Sequence, residues 1–511
     1  MMSANQQSYG VRLSDLLPDI WLPGEVGDVF VTGVQSDHRL LQKGDVFIAQ
    51  VGASVDARQF IGAALRAGAA AIIKELSNED DGISWHSNVP VIPVKKLDQI
   101  VSAIASRFYA EPSHSVRCIA VTGTNGKTTV AYLFSQLVAK LEQQCGLMGT
   151  LGNGIVSADS ENNSSSSLTS TGLTTAGPVA VQATLGSFAA KGVARCVMEV
   201  SSHSLHQSRV AAVDFKTAIL TNLSRDHLDY HGSMENYAEA KAKLFHFSSL
   251  EHAIVNIDDE FGCELTQRLA AGKVVTYSTS NEKAAVYCRD VSFSAEGVDA
   301  WVVTPWGEGK LSASLLGEFN LSNLLAVIAA ASLEGFDLQD ILTNIALVSP
   351  ATGRMEVVSM SMRPLVVVDY AHTPDGLSKA LGTLKPQCEK TLWCVFGCGG
   401  DRDRGKRAQM ASIAEQLADC VVVTSDNPRT EPQEAIEKDI RLGFQQLDNV
   451  VFERDRAKAI KYAILHAADE DIILIAGKGH ETYQQIGVEK LPFSDVGHAR
   501  LALQQRMEIS S

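Results

Sequence analysis

Short runs of consecutive apolar residues recur along the chain, and stretches long enough for a helix separate them. In the N-terminal part these runs occupy 46–49, 69–73 and 89–94, between alanine-rich stretches. Continuous apolar runs of this length are typical of strands that are buried on both faces of a parallel sheet. The pattern therefore predicts a small α/β unit over roughly 29–112.

A second unit is predicted to begin after the Glu-Pro pair at 111–112. The residue before a proline is disfavoured in a helix, so we expect a domain boundary there. The next apolar run, 118–122, precedes a glycine-rich loop and a stretch of helical composition that begins near Thr128. Apolar runs at 196–200 and 217–220 continue the alternation, which favours a mostly parallel sheet.

The alternation restarts after the Ser-Pro pair at 349–350, with apolar runs at 365–369, 392–396, 420–424 and 472–476. Each run ends in a polar loop that contains glycine or proline. Ligands bind at the carboxyl ends of the strands in an open α/β sheet, so these loops are expected to share one crevice. We therefore predict an α/β protein of three domains, which cover 1–112, 113–350 and 351–511.

Composition narrows the class of protein. The 511 residues are 45% hydrophobic and 20% charged, as in ordinary globular proteins with more than one core. The formal charge of −15 comes without any basic cluster, which argues against a nucleic-acid partner. No apolar stretch resembles a signal peptide or a membrane span, so we expect a cytosolic protein. The nine cysteines are scattered, mostly in apolar runs, and we expect buried thiols without disulfides or zinc.

Residues 123–129 read Gly-Thr-Asn-Gly-Lys-Thr-Thr and directly follow a predicted strand. In such a loop backbone N–H groups and the helix N-terminus hold phosphates, Lys127 neutralises the β/γ charge, and Thr128 helps to hold Mg²⁺. The first two glycines are closer together than in the strict phosphate-loop pattern, so a structural glycine turn is the alternative. We interpret the motif as a nucleotide site.

Acidic and histidine side chains follow two later strands. Glu199 ends a predicted strand, and 224–231 reads Ser-Arg-Asp-His-Leu-Asp-Tyr-His. A carboxylate at a strand end near a phosphate loop commonly reaches Mg²⁺, and His227 offers another ligand. Taken singly, each residue is more often a surface or hydrogen-bonded group. Together with the phosphate loop they favour a metal-dependent nucleotide site.

Seven motifs occur in one order along nearly the whole chain, and together they resemble the Mur ligase family, most closely its diaminopimelate-adding branch. They are GTNGKTT at 123–129, EVSSH at 199–203, NLSRDHLDYH at 222–231, GEFNLSN at 317–323, Gly-Arg at 353–354, DYAHTP at 369–374 and GKGHE at 477–481.

The resemblance implies a small N-terminal α/β domain for the UDP moiety, a central ATPase and a C-terminal Rossmann-like domain for the incoming amino acid. It implies that ATP phosphorylates the D-glutamate carboxylate of UDP-N-acetylmuramoyl-L-alanyl-D-glutamate, and that the amine of meso-diaminopimelate attacks the acyl phosphate. ATP and Mg²⁺ are the expected cofactors, peptidoglycan precursor synthesis is the expected pathway, and a monomer is the expected state.

The resemblance also assigns residues to the nucleotide and the metal. Lys241, in the context Tyr-x-x-A-K, is expected to carry a carbamate, whereas the sequence alone favours a solvated helix lysine there. Lys127, Lys241 and His227 are the implied catalytic residues. The implied metal ligands are Thr128, Glu199, His227 and Lys241. The implied ATP-binding residues are Gly123, Thr124, Asn125, Gly126, Lys127, Thr128, Thr129, Asn320, Arg354 and Asp369.

The resemblance also implies binding residues for the UDP-linked precursor and for diaminopimelate. The UDP-precursor set is Ser36, His38, Ala53, Ser54, Val55, Thr174, Thr175, Ser201, Gln207 and Arg209. The diaminopimelate set is Arg402, Asp426, Asn427, Pro428, Arg429, Gly477 and Glu481. Diaminopimelate differs from lysine by a carboxylate at its far end, and Arg429 can grip a carboxylate with two parallel hydrogen bonds.

Three alternatives stay open on the sequence. One is a sister ligase that adds lysine at the same step, and another is a ligase like folylpolyglutamate synthase. The third is a phosphate-loop protein that uses nucleotide as a switch and forms no peptide bond.

Overall fold

The computed structural model describes residues 10–52, 55–78, 82–158, 168–294, 297–358 and 363–510, without the side chains of 509 and 510. Sheets of five, ten and six strands dominate these ranges, and two strand pairs accompany them. The large sheets draw on 33–94, 117–313 and 356–476 in turn. The predicted α/β class is confirmed, and the predicted boundaries near 112 and 350 stay predictions.

The N-terminal sheet has the order β3-β4-β5-β7-β6 and is parallel except for β6. The apolar runs predicted there fall on β4, β5 and β7, and helix α4 covers one face with Val101, Ile104 and Ala105. The elements are β1 (Val11–Arg12), α1 (Leu13–Leu16), α2 (Gly24–Gly27), β2 (Phe30–Val31), β3 (Gly33–Gln35), β4 (Asp45–Ala49), α3 (Ile61–Arg66), β5 (Ala71–Glu75), β6 (Ser84–His86), β7 (Val89–Val94) and α4 (Leu97–Phe108).

The central sheet has the order β10-β9-β11-β8-β12-β13-β14-β15-β16-β17. Its interior pairs are parallel, and both edges are antiparallel. The elements are β8 (Arg117–Thr122), α5 (Lys127–Glu142), β9 (Gln144–Gly149), β10 (Gly152–Ser157), α6 (Pro178–Ala190), β11 (Arg195–Glu199), α7 (Ser202–His206), β12 (Phe215–Leu220), α8 (Leu228–His231), α9 (Met234–Ala242), β13 (His252–Asn256), α10 (Glu260–Arg268), β14 (Val274–Ser278), β15 (Val286–Ser294), β16 (Gly297–Thr304), β17 (Gly307–Ala313), α11 (Glu318–Leu333) and α12 (Leu338–Ile345).

Two buried layers hold this sheet in place. Helices α5 and α11 pack their apolar sides on one face, and α6 covers the other. Strand β8 lies in the middle of the sheet, between β11 and β12, so the loop after it and the end of β11 open on the same edge. The fold thus brings the glycine-rich loop and Glu199 together.

The C-terminal sheet has the order β18-β19-β23-β20-β21-β22 and is parallel apart from β18. Its four central strands match the four predicted apolar runs, although β21 ends one residue earlier, at Val423. The elements are β18 (Glu356–Val357), β19 (Leu365–Asp369), α13 (Pro374–Leu384), β20 (Leu392–Phe396), α14 (Gly405–Leu417), β21 (Cys420–Val423), α15 (Gln433–Arg441), β22 (Val450–Phe452), α16 (Arg456–His466), β23 (Ile472–Ala476), β24 (Tyr483–Ile486), β25 (Glu489–Pro492) and α17 (Asp495–Ser510).

Two expectations from composition can be compared with the structure. None of the nine cysteines is paired in a disulfide; six are buried as expected, whereas Cys263 is exposed and Cys388 and Cys420 are half-buried. Among the helices in the described ranges, none has the length and apolar character that crossing a bilayer requires.

Candidate functional site

The glycine-rich loop connects the end of β8 to the start of α5. Gly123 and Gly126 have φ of 146° and 86°, and a Cβ on Gly123 would lie 1.9 Å from Oγ1 of Thr221. Only glycine fits both the backbone and the space there. The Nζ of Lys127 folds back and donates to the carbonyls of Gly123 and Thr124, at 2.8 Å each. The loop is thus closed around its own lysine and has the form of a phosphate cradle.

Glu199 connects three threonines at the edge of the sheet. Its Oε2 accepts from Oγ1 of Thr128 at 2.9 Å and from Oγ1 of Thr150 at 3.1 Å, and its Oε1 accepts from N of Thr150 at 2.7 Å. Its backbone carbonyl accepts from Oγ1 of Thr175 at 2.8 Å. The predicted metal ligands Thr128 and Glu199 are therefore in direct contact.

The donor set at this point fits Mg²⁺. Mg²⁺ prefers oxygen ligands, and the hydroxyl of Thr128 and the carboxylate of Glu199 supply two oxygens in direct contact. In the described part of the chain no three His, Cys, Asp or Glu side chains are arranged as a metal cluster. Mg²⁺ commonly completes its shell with phosphate oxygens and water.

Arg354, at the junction with the C-terminal unit, reaches the phosphate loop. Its Nη2 donates to Oγ1 of Thr128 at 3.1 Å, and its guanidinium carbon lies 4.4 Å from the centre of the Tyr370 ring. Nε of Arg354 is buried and has no hydrogen-bond partner among the described residues. Nearby, Oδ2 of Asp369 accepts from N of Met355 at 2.7 Å, and burial raises the pKa of Asp369. The junction is thus folded against the loop that holds phosphates.

A cavity of about 760 Å³ lies between the central and C-terminal units. This volume is in the usual range for small-molecule sites. Five of the predicted ATP-binding residues line it, namely Asn125, Gly126, Thr129, Arg354 and Asp369. Asn320 does not, because its Nδ2 donates to the carbonyl of Leu316 at 2.8 Å; Asn323, one turn further on α11, lines the cavity instead. Both asparagines belong to the GEFNLSN motif, and the orientation of α11 decides which of them faces the cavity.

Lys241 is buried beside the phosphate loop. Its Nζ donates to the carbonyl of Gly123 at 2.8 Å and lies 4.4 Å from the centre of the Tyr237 ring. Burial, and then the charge of Lys127, hold the pKa of Lys241 well below its usual range. Lys243, two residues further, is exposed. Of the two lysines, only Lys241 faces the site.

Asp226 and His227 lie where the two units meet. Oδ2 of Asp226 is 3.4 Å from Nε2 of His227 and 3.9 Å from Nε2 of His372, and its Oδ1 is 3.9 Å from Nζ of Lys406. Burial alone would raise the pKa of Asp226, but these neighbours outweigh it and hold the pKa below its usual range. Burial lowers the pKa of His227 to about 3, although Asp226 opposes the shift. A neutral imidazole can act as a metal ligand.

The loops after β21 and β23 form one polar network. The buried Nζ of Lys478 donates to Oδ1 of Asn427 at 2.9 Å and to Oε2 of Glu481 at 2.7 Å, and Nδ2 of Asn427 donates to the same Oε2 at 2.8 Å. Nη1 of Arg429 donates to the carbonyl of Gly400 at 2.7 Å, next to the exposed Arg402. The structure therefore brings the predicted amino-acid loops together. Sequence reasoning missed Lys478, the centre of this network, although it lies within the quoted GKGHE motif.

Other members of that set define the loop backbone. Gly477 has φ of 121°, and a Cβ there would lie 2.8 Å from Oδ2 of Asp426. Pro428 and Asn427 are buried, and Arg429 adopts φ of 53°. Gly477 thus leaves room for the carboxylate of Asp426 at the base of the loop.

The predicted UDP-precursor residues fall into two groups. In the central unit, Arg209 donates to Oε1 of Gln207 from Nε at 2.9 Å and to the carbonyl of Thr175 from Nη1 at 2.8 Å. Oγ of Ser201 accepts from Oγ1 of Thr175 at 3.3 Å, and Oγ1 of Thr174 accepts from Oγ1 of Thr150 at 3.3 Å. This group is continuous with Glu199.

The second group lies in the N-terminal unit. Ser36 and Val55 are exposed, and the ring of His38 stacks on Phe60 with centroids 4.1 Å apart. Ala53 and Ser54 lie outside the described residues. In the ranges that are described, no hydrogen bond or ion pair joins Ser36 or His38 to the central group. The structure does not bring the two groups into contact.

Comparison with known proteins identifies matches to one protein family over most of the chain. Residues 121–331 match the description "Mur ligase middle domain", 353–479 match "Mur ligase, glutamate ligase domain", and 30–109 match "Mur ligase family, catalytic domain". A protein of Pseudomonas aeruginosa named "UDP-N-acetylmuramoyl-L-alanyl-D-glutamate--2,6-diaminopimelate ligase" is 48% identical over 476 residues, which are 93% of this chain and 96% of that protein.

Solved structures agree. A structure described as UDP-N-acetylmuramoyl-L-alanyl-D-glutamate--2,6-diaminopimelate ligase superposes with a TM-score of 0.68 and 38% identity, over 98% of this chain and 99% of that chain. Folylpolyglutamate synthase of Mycobacterium tuberculosis, solved with ADP and AMPPCP, shares the fold with a TM-score of 0.59 and 21% identity, over 78% of this chain and 93% of that chain. From its sequence and its fold, the chain belongs to the Mur ligase family.

Proposed function

We propose that this ligase uses ATP to join the amine of meso-2,6-diaminopimelate to the D-glutamate carboxylate of UDP-N-acetylmuramoyl-L-alanyl-D-glutamate, in peptidoglycan precursor synthesis. The observation that carries the proposal is the contact of Arg354 with Thr128, because it seats the amino-acid unit against the phosphate loop. The name of the relative at 48% identity supports the choice of substrates. We also propose a cytoplasmic location, because the reaction consumes ATP. The protein is proposed to be a monomer, and its domains are proposed to cover 1–112, 113–350 and 351–511.

The proposed chemistry is phosphoryl transfer to a carboxylate, followed by attack of an amine on the acyl phosphate. Such a transfer depends on positioning and on neutralising charge. The Nζ of Lys127, which now donates to two loop carbonyls, would turn to the phosphates when ATP enters. Arg354 would add a second cation at the same point, since its Nε has no partner among the described residues. ATP would occupy the 760 Å³ cavity beside them.

Thr128 and Glu199 are the proposed protein ligands of Mg²⁺, with His227 and Lys241 close by. The direct contact of their oxygens beside the phosphate loop supports this assignment. When bound, Mg²⁺ would neutralise phosphate charge and orient the phosphoryl group. Glu199 is itself held by Thr150, so the carboxylate is fixed before the metal binds.

We propose that Lys241 carries a carbamate. Burial lowers its pKa, which favours the neutral amine, and only that form can add to CO₂. The nitrogen forms a bond to the carbon of CO₂ and releases one proton to solvent, so an anion replaces a potential cation. Beside Lys127 an anion is favourable, whereas a second ammonium would be repelled. The carbamate would assist the metal, which an ammonium would repel.

Amino-acid selection is assigned to the loops after β20, β21 and β23. Arg429 and Arg402 are the cations for the distal carboxylate, and Glu481 is the acceptor for the distal ammonium. Asn427 and Lys478 hold Glu481 in place. The remaining contacts would come from Asp426, Pro428 and Gly477.

The UDP-linked substrate is assigned to two groups of residues, which it would span. Thr174, Thr175, Ser201, Gln207 and Arg209 form the central group, where Arg209 can pair with a carboxylate or diphosphate. Ser36, His38 and Val55 form the other, together with Ala53 and Ser54. His227 is not part of either group, because it is proposed as a metal ligand and a catalytic residue.

The test is a phosphate-release assay on the purified protein with ATP and Mg²⁺, adding the UDP-dipeptide and diaminopimelate separately and together. We expect sustained release only when both are present, with one new amide bond for each phosphate. Release with neither substrate would instead indicate a nucleotide switch. Release with a folate and glutamate would indicate the folylpolyglutamate synthase type.

A further inference from the structure

Lys406 lies in the first turn of α14, directly after the loop that follows β20. Its side chain is only 7% exposed. Within the described ranges it donates no hydrogen bond, and its nearest carboxylate oxygen, Oδ1 of Asp226, is 3.9 Å away. That separation exceeds hydrogen-bond length, so the three donors of this ammonium have no partner among the described residues.

A largely buried ammonium is stabilised only in part by an ion pair that forms no hydrogen bond. Taking the charge out of water is unfavourable unless an anion and hydrogen bonds replace the water. Asp226 supplies the opposite charge at 3.9 Å, but it lies too far away to accept a hydrogen bond from the ammonium. Lys406 therefore still has donors available for a second anion.

The position of Lys406 indicates which anion these donors would bind. Asp226 lies two residues after Ser224, whose carbonyl accepts from Oγ1 of Thr124 at 3.1 Å and whose N donates to the same Oγ1 at 2.9 Å, so Lys406 approaches the phosphate loop from the C-terminal unit. The start of α14 is also tight against the central unit, since a Cβ on Gly405 would lie 2.6 Å from Nη2 of Arg225. A phosphoryl group that leaves the nucleotide would pass between these two sides.

We propose that Lys406 is a further catalytic residue, which binds an oxygen of the phosphoryl group while it moves from ATP to the substrate carboxylate. This inference rests on the proposed function. Lys127 would hold the phosphates from the loop, and Lys406 would meet them from the C-terminal unit. Phosphoryl transfer would then reach full speed only when the two units are closed.

The first test uses Lys406→Met, which keeps the length of the side chain and removes its charge. We expect kcat to fall by about 10²–10³-fold, as for loss of one donor to a developing oxyanion, with the KM for diaminopimelate within a few-fold of wild type. Lys406→Arg should recover part of the lost kcat, because it restores a cation.

Arg225→Gln is the matched control. It removes the neighbouring ion pair between the same two units, in which Nε of Arg225 lies 3.3 Å from Oδ2 of Asp403, and it leaves Lys406 in place. We expect at most a few-fold loss of kcat. If Lys406→Met and Arg225→Gln lose the same amount, Lys406 only holds the units together and the proposal is wrong.

The second test measures anion binding without turnover, as inhibition and tight binding of ADP with orthovanadate and Mg²⁺, with and without the UDP-dipeptide. Lys406→Met should bind ADP alone like the wild type and lose at least about tenfold in affinity for ADP with vanadate. Unchanged vanadate trapping would overturn the proposal, and so would a raised KM for diaminopimelate with unchanged kcat, which would assign Lys406 to a substrate carboxylate. Because this assay needs no amino acid, a wild type that traps vanadate but ignores diaminopimelate would refute the proposed substrate and not the role of Lys406.

Discussion

At the scale of single residues, two lysine amines share one acceptor. The Nζ atoms of Lys127 and Lys241 each lie 2.8 Å from the carbonyl oxygen of Gly123. Two ammonium ions so close would repel each other in a buried site, so at least one amine is expected to be neutral. Burial lowers the pKa of both, and the pKa of Lys241 falls well below its usual range. The site therefore favours modification of Lys241 over Lys127.

Lys241→Ala should reduce kcat by at least about 10²-fold, because the anion that assists the metal is lost. Acetate or formate at high concentration should restore part of the activity by occupying the vacated space. Lys243→Ala is the matched control, since that side chain is exposed on the same stretch and should be silent. ¹³C NMR with labelled bicarbonate should show one carbamate signal that Lys241→Ala abolishes. Equal activity of the two variants would contradict the carbamate.

Arg429→Ala and Arg429→Lys should both raise the KM for diaminopimelate by about 10–100-fold, the cost of losing charge-assisted hydrogen bonds. The lysine variant keeps the charge but cannot form two parallel bonds. Steady-state kinetics with diaminopimelate and ATP as varied substrates measure the change, and the KM for ATP should stay near wild type. Arg441→Ala, which removes a surface pair with Glu437, is the control. An unchanged KM for diaminopimelate would remove Arg429 from the site.

Some residues of the site could be predicted because one short motif contains all the necessary chemistry. Lys127 and Thr128 follow from the loop, and Glu199 from its place at a strand end. Lys406 could not be found this way, since residues 397–407 contain several cations and the sequence does not show which of them is buried. Asn323 was missed for a similar reason, as the phase of α11 decides which asparagine faces the cavity.

At the scale of elements, the junction before β18 and the loop after β23 approach closely. Gly353 has φ of 66°, and a Cβ there would lie 2.1 Å from N of His480 and 2.6 Å from Cα of Gly479. Backbone atoms cannot move aside as a flexible side chain can. The position of Arg354 on the phosphate loop therefore depends on the absence of a side chain at Gly353.

Gly353→Ala should displace Arg354 from Thr128, with at least about a tenfold rise in the KM for ATP or fall in kcat. Gly192→Ala is the control, because Gly192 has a similar φ of 70° and nothing within 4 Å of a Cβ. It carries the same backbone strain without the collision. Kinetics and thermal melting of both variants separate the two effects. If Gly353→Ala were as active as Gly192→Ala, the close approach would have no role in catalysis.

Strands differed in how well the sequence predicted them. Strands β19, β20 and β23 have the predicted bounds, because each is a continuous apolar run buried on both faces. The antiparallel edge from β15 to β17 was not predicted. The last six residues of β15 are exposed and mostly polar, so hydrophobic periodicity could not mark them. Pairing with β16 holds these exposed residues, whereas Val286 and Cys288 at the start of β15 are buried in the core.

At the scale of the whole molecule, polar contacts join the central and C-terminal units around the site. Nδ2 of Asn125 donates to Oδ2 of Asp375 at 2.8 Å, Arg225 pairs with Asp403, and Arg354 reaches Thr128. No pattern along the chain marks such contacts, since each partner alone resembles a solvated surface residue. The sequence predicted three units, whereas their mutual arrangement required the structure.

The central claim is that these units assemble a ligase for diaminopimelate. The most direct measurement is kcat/KM for phosphate release by the wild-type protein, at saturating ATP and UDP-dipeptide, with meso-diaminopimelate and with lysine. A site built to pair with a distal carboxylate should prefer diaminopimelate by about 10⁴-fold, because lysine leaves Arg429 without its partner. Comparable kcat/KM values for lysine and diaminopimelate would contradict this account.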